Sequence, residues 1–218
     1  SLKRLLLQNC SNLTDEGLHG VAASRTLEEL DLSSTRIADV WHLSGCKALR
    51  KLSLTRCFQL TDAGIQGLES ISSLEELSLS GSFTSVSHFS ACPRLKVLRL
   101  WKSTSLTDEG IQGLERIPCL EELEISVTNV SSVSHLSGCP LLKKLSVEGC
   151  ALTDSGLLGL ELISTLEELN LSRSNNLTDV RPLSTCRALK SLNLSYCGNI
   201  NDTSLSGIDM IPSLTELN

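Results

Sequence analysis

The chain repeats itself every 46 or 47 residues, and no other feature constrains its fold as strongly. Each period contains one long and one short copy of the frame L-x-x-L-x-L-x-x-(C/S/T). The frames begin at Leu2, Leu27, Leu49, Leu74, Leu95, Leu120, Leu142, Leu166, Leu189 and, truncated, Leu214. A unit of this size cannot bury an apolar face alone, so neighbouring units must stack around one continuous core. The period therefore predicts a solenoid.

Each frame predicts one short β-strand. Its second and third leucines point inward while the residues around them alternate outward, so stacked copies form a parallel sheet. In the long copies the motif L-T-D-x-G follows, and we expect Thr61 or Asp62 to cap a helix whose apolar face carries Ile65, Leu68 and Ile71. The short copies leave room for only one tight turn. The predicted fold is an α/β solenoid with a parallel sheet on its concave face and alternating helix and short turn on its convex face.

The same period argues for a single domain over residues 1–218, with about nine complete repeats and a truncated tenth. The sequence opens directly on a strand and stops inside the tenth frame. Atypical units usually cover the ends of a solenoid, and the sequence shows none. We therefore expect the chain to be a piece of a longer protein.

Eight of the nine cysteines occupy two fixed positions of the repeat. Cys46, Cys92, Cys139 and Cys186 lie three residues before a frame leucine, whereas Cys10, Cys57, Cys150 and Cys197 fill the ninth position of long frames. An odd count at periodic core positions favours free, buried thiols, which behave as small apolar residues. Free thiols in a core predict a reducing compartment, the cytoplasm or nucleus. Seven N-x-S/T sequons keep an extracellular alternative open, although the repeat itself generates such triplets.

These spacings resemble known leucine-rich repeats. The pattern C-x-x-L-x-x-L-x-L-x-x-C, present at 46–57, 139–150 and 186–197, is similar to the cysteine-containing repeats of F-box substrate receptors. The short copies resemble internalin-type repeats, with Leu177, Asp179, Val180, Pro182 and Leu183 as the nearest match. Strict alternation of the two resembles leucine-rich-repeat proteins of trypanosomatid parasites. The resemblance implies a leucine-rich-repeat horseshoe and carries no catalytic residue with it.

The sequence gives no support to catalysis or to a cofactor. It contains no nucleophile–base pair, phosphate-binding glycine loop or close metal-ligand spacing. His–Cys pairs such as His88 and Cys92 recur four residues apart, but each lies a full double repeat from the next, too far to share an ion. The net charge of −6 disfavours a nucleic-acid partner. No apolar run approaches the roughly 18 residues of a membrane span, so we predict no membrane insertion.

The two residues after each frame leucine alternate in charge from one frame to the next. Basic pairs such as Arg50 and Lys51 are followed by acidic pairs such as Glu75 and Glu76. Neighbouring strands lie about 4.8 Å apart, so each acidic pair should lie between basic pairs. The pattern predicts cross-strand ion pairs that hold the stacking register, and a template for a partner of alternating charge is the alternative.

A partner site is predicted on the concave face. Most outward residues there are small and polar, and Arg99, Trp101 and Lys102 on the fifth frame stand out against them. Trp and Arg are enriched at binding hot spots. We expect Arg56 and Glu124 at the margin of this site, and Ser78, Ser80 and Gly81 to form a shallow depression with Trp101 as its wall. The alternative is that Trp101 only covers its neighbours, with Arg99 stacked on it.

These observations predict a non-catalytic scaffold that binds a protein or peptide on its concave face. One alternative is the substrate-recognition part of an F-box-type ubiquitin ligase, which requires an F-box upstream of residue 1. Another is a secreted or surface recognition protein, which requires a signal peptide and glycosylated sequons.

Overall fold

The computed structural model describes residues 2–218 and contains one sheet of ten parallel strands in sequence order. The strands are β1 Arg4–Leu6, β2 Glu29–Asp31, β3 Lys51–Leu54, β4 Glu76–Leu79, β5 Val97–Trp101, β6 Glu122–Ser126, β7 Lys144–Ser146, β8 Glu168–Asn170, β9 Ser191–Asn193 and β10 Glu216–Leu217. Equivalent frame positions face each other across every pair, for example Leu52 with Leu77. The predicted solenoid and its parallel sheet are confirmed.

The core is one continuous column of aliphatic side chains behind the sheet. Frame leucines such as Leu77 and Leu98 are fully buried, and the two largest fully buried side chains are Phe83 and Phe89. Seven of the nine cysteines are buried in the same column. Cys57, for example, lies 3.2 Å from the backbone oxygen of Leu32 in the preceding repeat and donates its S–H to it. The predicted core positions of these cysteines are confirmed.

The convex side alternates between two kinds of segment, but the short copies carry helices where only a tight turn was predicted, and almost all the helices are 3₁₀. Each short copy carries one five-residue 3₁₀ helix, at Trp41–Gly45, Ser87–Ala91, Ser134–Gly138 and Arg181–Thr185. The long copies carry 3₁₀ helices of three or four residues at Asp15–Leu18, Leu68–Ser70, Glu109–Ile111, Leu114–Arg116, Asp154–Leu157, Leu160–Leu162 and Ile208–Met210. The α-helix is α1, His19–Ala22. A 3₁₀ helix rises faster per residue than an α-helix, so it spans the same gap with fewer residues.

Two glycines explain why the long copies cannot form a regular helix. Gly110 packs so closely on the preceding repeat that an added Cβ would lie 1.9 Å from the backbone oxygen of Thr84. Its own carbonyl accepts the N–H of Val86. Gly113 then takes a φ of +95°, which breaks the helix and which other residues rarely adopt. The G-x-x-G motif of the long copies is therefore a packing device and not a phosphate loop.

The aspartates of the L-T-D motif join repeats and do not cap helices. Asp62 Oδ1 accepts the backbone N–H groups of Thr84 and Ser85 in the next repeat, at 2.8 and 3.1 Å. No helix N-cap among residues 2–218 makes a side-chain cap hydrogen bond, including those that the prediction assigned to the long copies. The predicted helix cap is wrong: the Asp62 carboxylate binds N–H groups of the following short copy, and Thr61 Oγ1 accepts the Gly64 N–H at 3.4 Å in a turn that is not a helix.

The charge ladder forms ion pairs between adjacent strands. Arg50 Nη2 lies 2.9 Å from Glu75 Oε1, and Lys51 Nζ lies 2.6 Å from Glu76 Oε1. Similar bridges join Lys3 to Glu28, Arg4 to Glu29, Lys143 to Glu121, Lys144 to Glu168 and Lys190 to Glu167. The structural interpretation of the alternating charges is confirmed.

Candidate functional site

Trp101 ends strand β5 and lies half-buried at the carboxyl edge of the sheet. The Arg56 guanidinium lies 5.7 Å from its ring centroid, and Lys102 Nζ lies 5.6 Å from it. Phe58, half exposed, places its ring 6.3 Å from the indole and 5.7 Å from Lys102 Nζ. These distances are typical of cation–π and aromatic pairs. Two cations and two aromatic rings therefore form one cluster, which we call the Trp101 cluster.

The structure brings three of the five predicted site residues together and separates the other two. Arg56, Trp101 and Lys102 belong to the Trp101 cluster. Arg99 projects from the same face of β5 two residues before Trp101, but its Nη2 lies 2.7 Å from Glu122 Oε1, and Glu124 is its register partner on β6. The alternative in which Arg99 stacks on Trp101 is wrong, because the cations against the indole are those of Arg56 and Lys102.

Phe58 was not predicted as a site residue. It follows a ninth-position cysteine, in a loop where the frame gives no outward or inward periodicity. The one signal in the sequence was an aromatic residue outside the frame.

The shallow depression predicted from Ser78, Ser80 and Gly81 is absent. Ser80 and Gly81 are buried, so neither opens to solvent beside Trp101. A groove of about 290 Å³ lies instead on the concave face over β6 to β9 and is lined by Glu124, Ser146, Asn170 and Asn193 among others. The concave surface itself is therefore polar, and the aromatic surface lies at its edge.

The eighth residue of the frame adopts a left-handed backbone in eight of the nine complete repeats. These residues are Asn9, Ser34, Arg56, Lys102, Val127, Gly149, Arg173 and Tyr196, with φ between 56 and 65°. Gly and Asn suit this conformation, whereas other residues pay a steric penalty in it. Long side chains nevertheless occupy it at Arg56, Lys102, Arg173 and Tyr196.

A second cluster lies further along the same edge. Arg173 places its guanidinium 5.3 Å from the ring of Tyr196, which is 79% exposed. The Arg173 Nε also lies 3.4 Å from Glu148 Oε1. The eighth frame position thus supplies three cations, Arg56 after β3, Lys102 after β5 and Arg173 after β8, along one edge of the sheet, which we call the carboxyl rim.

The chemistry of the remaining ionisable groups is that of a packed scaffold. Burial raises the pKa of the Cys92 and Cys139 thiols to about 12, so both remain protonated and unreactive at neutral pH. Burial lowers the pKa of His88 and His135, whose Nε2 atoms are buried without a hydrogen-bond partner. Within residues 2–218 no three His, Cys, Asp or Glu side chains converge as metal ligands. No helix of that range combines the length and apolarity that a bilayer span needs.

Sequence comparison identifies the repeating unit. A model described as two copies of leucine-rich repeats matches residues 164–210, and a single leucine-rich-repeat model matches residues 23–40 and 138–160. The chain contains leucine-rich repeats. No curated protein matches its sequence.

Solved structures with the same repeat agree in fold. An internalin of Listeria monocytogenes is 19% identical, with a TM-score of 0.72 over 93% of this chain and 63% of its own. Mouse RP105, solved in complex with MD-1, is 22% identical, with a TM-score of 0.71 over 89% of this chain and 34% of its own. A plant peptide hormone receptor, RGFR1 in complex with RGF2, is 19% identical, with a TM-score of 0.60 over 99% and 39%. The chain thus spans less than two thirds of these proteins, and the likeness shows the leucine-rich-repeat fold.

Proposed function

We propose that this leucine-rich-repeat chain is a non-catalytic scaffold that binds a protein or peptide through the Trp101 cluster and the adjoining concave face. The observation that carries the proposal is an indole held among Arg56, Lys102 and Phe58 at the edge of a sheet whose concave surface is otherwise polar. Aromatic and arginine side chains contribute most of the binding energy in protein interfaces. Leucine-rich-repeat proteins generally act as interaction scaffolds, and RP105 and RGFR1 above were both solved as complexes.

The Trp101 cluster is suited to binding because its side chains add little to the core. Trp101 lies outside the buried leucine column, and Phe58 is 50% exposed. Lys102 and Arg56 make no salt bridge within residues 2–218, unlike the paired cations of the charge ladder. A partner can therefore cover the rings and approach the cations without breaking an intramolecular ion pair.

A displayed random-peptide library tests this proposal. Binders are selected on the parent protein, and their affinities are measured by titration calorimetry on the parent and on Trp101→Ala. Removal of a hot-spot indole should weaken binding by more than 1 kcal/mol, about fivefold or more. The melting temperature should stay nearly unchanged because the ring is not in the core.

Trp41→Ala is the matched control. Trp41 is 56% exposed at the start of a convex 3₁₀ helix, so it has the same side chain on the opposite face. Selected binders should tolerate its loss. Binders that respond equally to both substitutions, or that ignore Trp101→Ala, would count against the site.

We also propose that the chain works in the cytoplasm or nucleus. The buried, protonated thiols suit a reducing compartment. Three sequon asparagines use their side-chain amide to join repeats: Asn129 donates to Thr104 O at 2.7 Å, Asn176 to Ala151 O at 3.1 Å, and Asn170 to Ser146 Oγ at 3.2 Å. A glycan on these nitrogens would disturb the contact. The ubiquitin-ligase alternative stays a prediction.

A further inference from the structure

We propose that the partner presents an acidic, extended peptide segment that lies across the strands along the carboxyl rim, anchored by one carboxylate at the Trp101 cluster and another at Arg173. This inference rests on the proposed scaffold function and specifies the chemistry of its ligand.

Three long cations occupy left-handed backbone positions on the carboxyl rim. Arg56, Lys102 and Arg173 have φ values of 61, 57 and 61°, where Gly149 of the same ladder fits without a steric penalty. Residues held in such conformations concentrate at binding sites, because their side chains are needed there. The ladder has the same conformation at Ser34, Val127 and Tyr196, so the strain by itself selects no ligand, and it is the charge of the three long side chains that indicates a ligand of opposite sign.

Most of the positive charge on the carboxyl rim is free to meet a ligand. Arg56 and Lys102 are both exposed, and neither has a carboxylate within salt-bridge distance in residues 2–218, so their charge is open to a ligand. Arg173 keeps one loose contact, 3.4 Å to Glu148, and presents the rest of its guanidinium beside Tyr196. The chain as a whole carries −6. Its overall field repels an acidic peptide, so attraction is confined to the rim.

The spacing of the cations on the rim suits an extended peptide. Lys102 follows β5 and Arg173 follows β8, three strand steps of about 4.8 Å, which is roughly 14 Å. Between them lie Val127, which is 38% exposed, and Gly149, which has no side chain. The eighth positions of this stretch give an apolar contact and no charge, and Glu148, directly before Gly149, is paired with Arg173. An extended chain advances about 3.3 Å per residue, so two acidic residues four apart reach both cations from the same face of the peptide.

The distribution of cations along the rim also favours a peptide over a nucleic acid. A single-stranded nucleic acid needs a positive groove that follows its phosphates continuously, together with stacking platforms. Between Lys102 and Arg173 the eighth positions of the rim hold Val127 and Gly149, which carry no charge.

Fluorescence anisotropy tests the inference with labelled nine-residue peptides on the parent protein. The probe peptide has two glutamates four residues apart, one of them next to a phenylalanine, and the reference peptide has glutamine at both positions. We expect the acidic peptide to bind at least tenfold more tightly than its reference. Peptides with glutamates two residues apart should lose most of that preference.

Lys102→Gly and Arg173→Gly should each weaken binding of the acidic peptide at least fivefold, while the fold is retained because glycine suits the backbone at both positions. Ser34→Gly makes the same backbone change on a repeat outside this stretch of the rim and should leave binding unchanged. No preference for the acidic peptide, equal losses in Ser34→Gly, or tighter binding of a single-stranded oligonucleotide through the same residues would overturn the inference. Library-selected binders that depend on Trp101 but tolerate both glycine variants would leave the scaffold function in place and remove only the acidic ligand.

Discussion

Replacement of Asp108 by alanine should destabilise the protein by breaking the link between a long copy and the next short copy. Asp108 Oδ1 accepts the backbone N–H groups of Ser131 and Ser132 at 2.7 and 3.0 Å, and Oδ2 accepts the Ser131 hydroxyl at 2.7 Å. Alanine leaves two backbone donors of a part-buried loop without their protein acceptor. The loop that they anchor leads into the 3₁₀ helix Ser134–Gly138.

The expected loss is about 3 kcal/mol in the free energy of unfolding. A hydrogen bond to a charged group contributes about 1.5–3 kcal/mol, and an orphaned buried donor costs about 1–3 kcal/mol. Water reaches this half-buried loop and replaces part of the lost hydrogen bonding. The summed free energy of the three hydrogen bonds is therefore an upper bound on the loss. In a chain of this length, 1 kcal/mol shifts the melting temperature by about 2–4 °C. The variant should therefore melt roughly 6–12 °C below the parent.

Urea denaturation followed by circular dichroism measures the change at pH 7. Asp202→Ala is the matched control, because Asp202 occupies the equivalent position of the last long copy and has no hydrogen-bond partner within residues 2–218. A loss below 1 kcal/mol for Asp108→Ala, or an equal loss for Asp202→Ala, would refute the inter-repeat role.

The stability of the protein at acidic pH should depend on the same carboxylate. Burial raises the pKa of Asp108, but the hydrogen bonds from the Ser131 hydroxyl and from the Ser131 and Ser132 N–H groups outweigh it, so the pKa is lowered from 3.8. An acid with a lowered folded pKa stabilises the protein above its unfolded pKa and loses that contribution as the pH falls through the folded value. Part of the parent's loss of stability below about pH 4 should be missing from Asp108→Ala.

Three further outcomes are expected. Replacement of Glu75 and Glu76 by Lys removes salt bridges to three cations. The free energy of unfolding should fall by about 1–3 kcal/mol at low salt and by less at 1 M salt. Equal melting temperatures of variant and parent at low salt would contradict the structural role. Burial lowers the pKa of His88 and His135, so the folded protein favours their neutral forms. The free energy of unfolding should therefore be highest above pH 6.5 and fall as the pH drops below that value. If a variant with Asn at both positions loses stability as steeply as the parent between pH 6.5 and 5, these histidines are not the cause. Titration of thiols in denaturant without reductant should find nine per chain, and a count near one would indicate four disulfides and an oxidising compartment.

The candidate site shows where sequence reasoning succeeded and where it stopped. Trp101 and Lys102 were found because they differ in size and charge from the small polar residues at equivalent frame positions. Arg99 was grouped with them because it projects from the same face of β5 two residues before Trp101, yet its guanidinium pairs with Glu122 on the next strand. Phe58 was missed because it lies in a loop, where no periodicity indicates the direction of a side chain.

The sequence by itself determined the parallel strands, the leucine column, the buried cysteines and the charge ladder. Each of these follows from a local frame that recurs at a fixed step, so stacking copies the pattern from one repeat to the next. Only the tertiary structure decided the role of Asp108 and the composition of the Trp101 cluster. Both depend on which groups of another repeat come within 3 to 6 Å. The Trp101 cluster also depends on a left-handed backbone at Lys102, which cannot be predicted from the residue type. Hydrogen bonds and cation–π contacts are short-ranged and directional, so the frame period could bring the repeats together but could not specify which atoms meet.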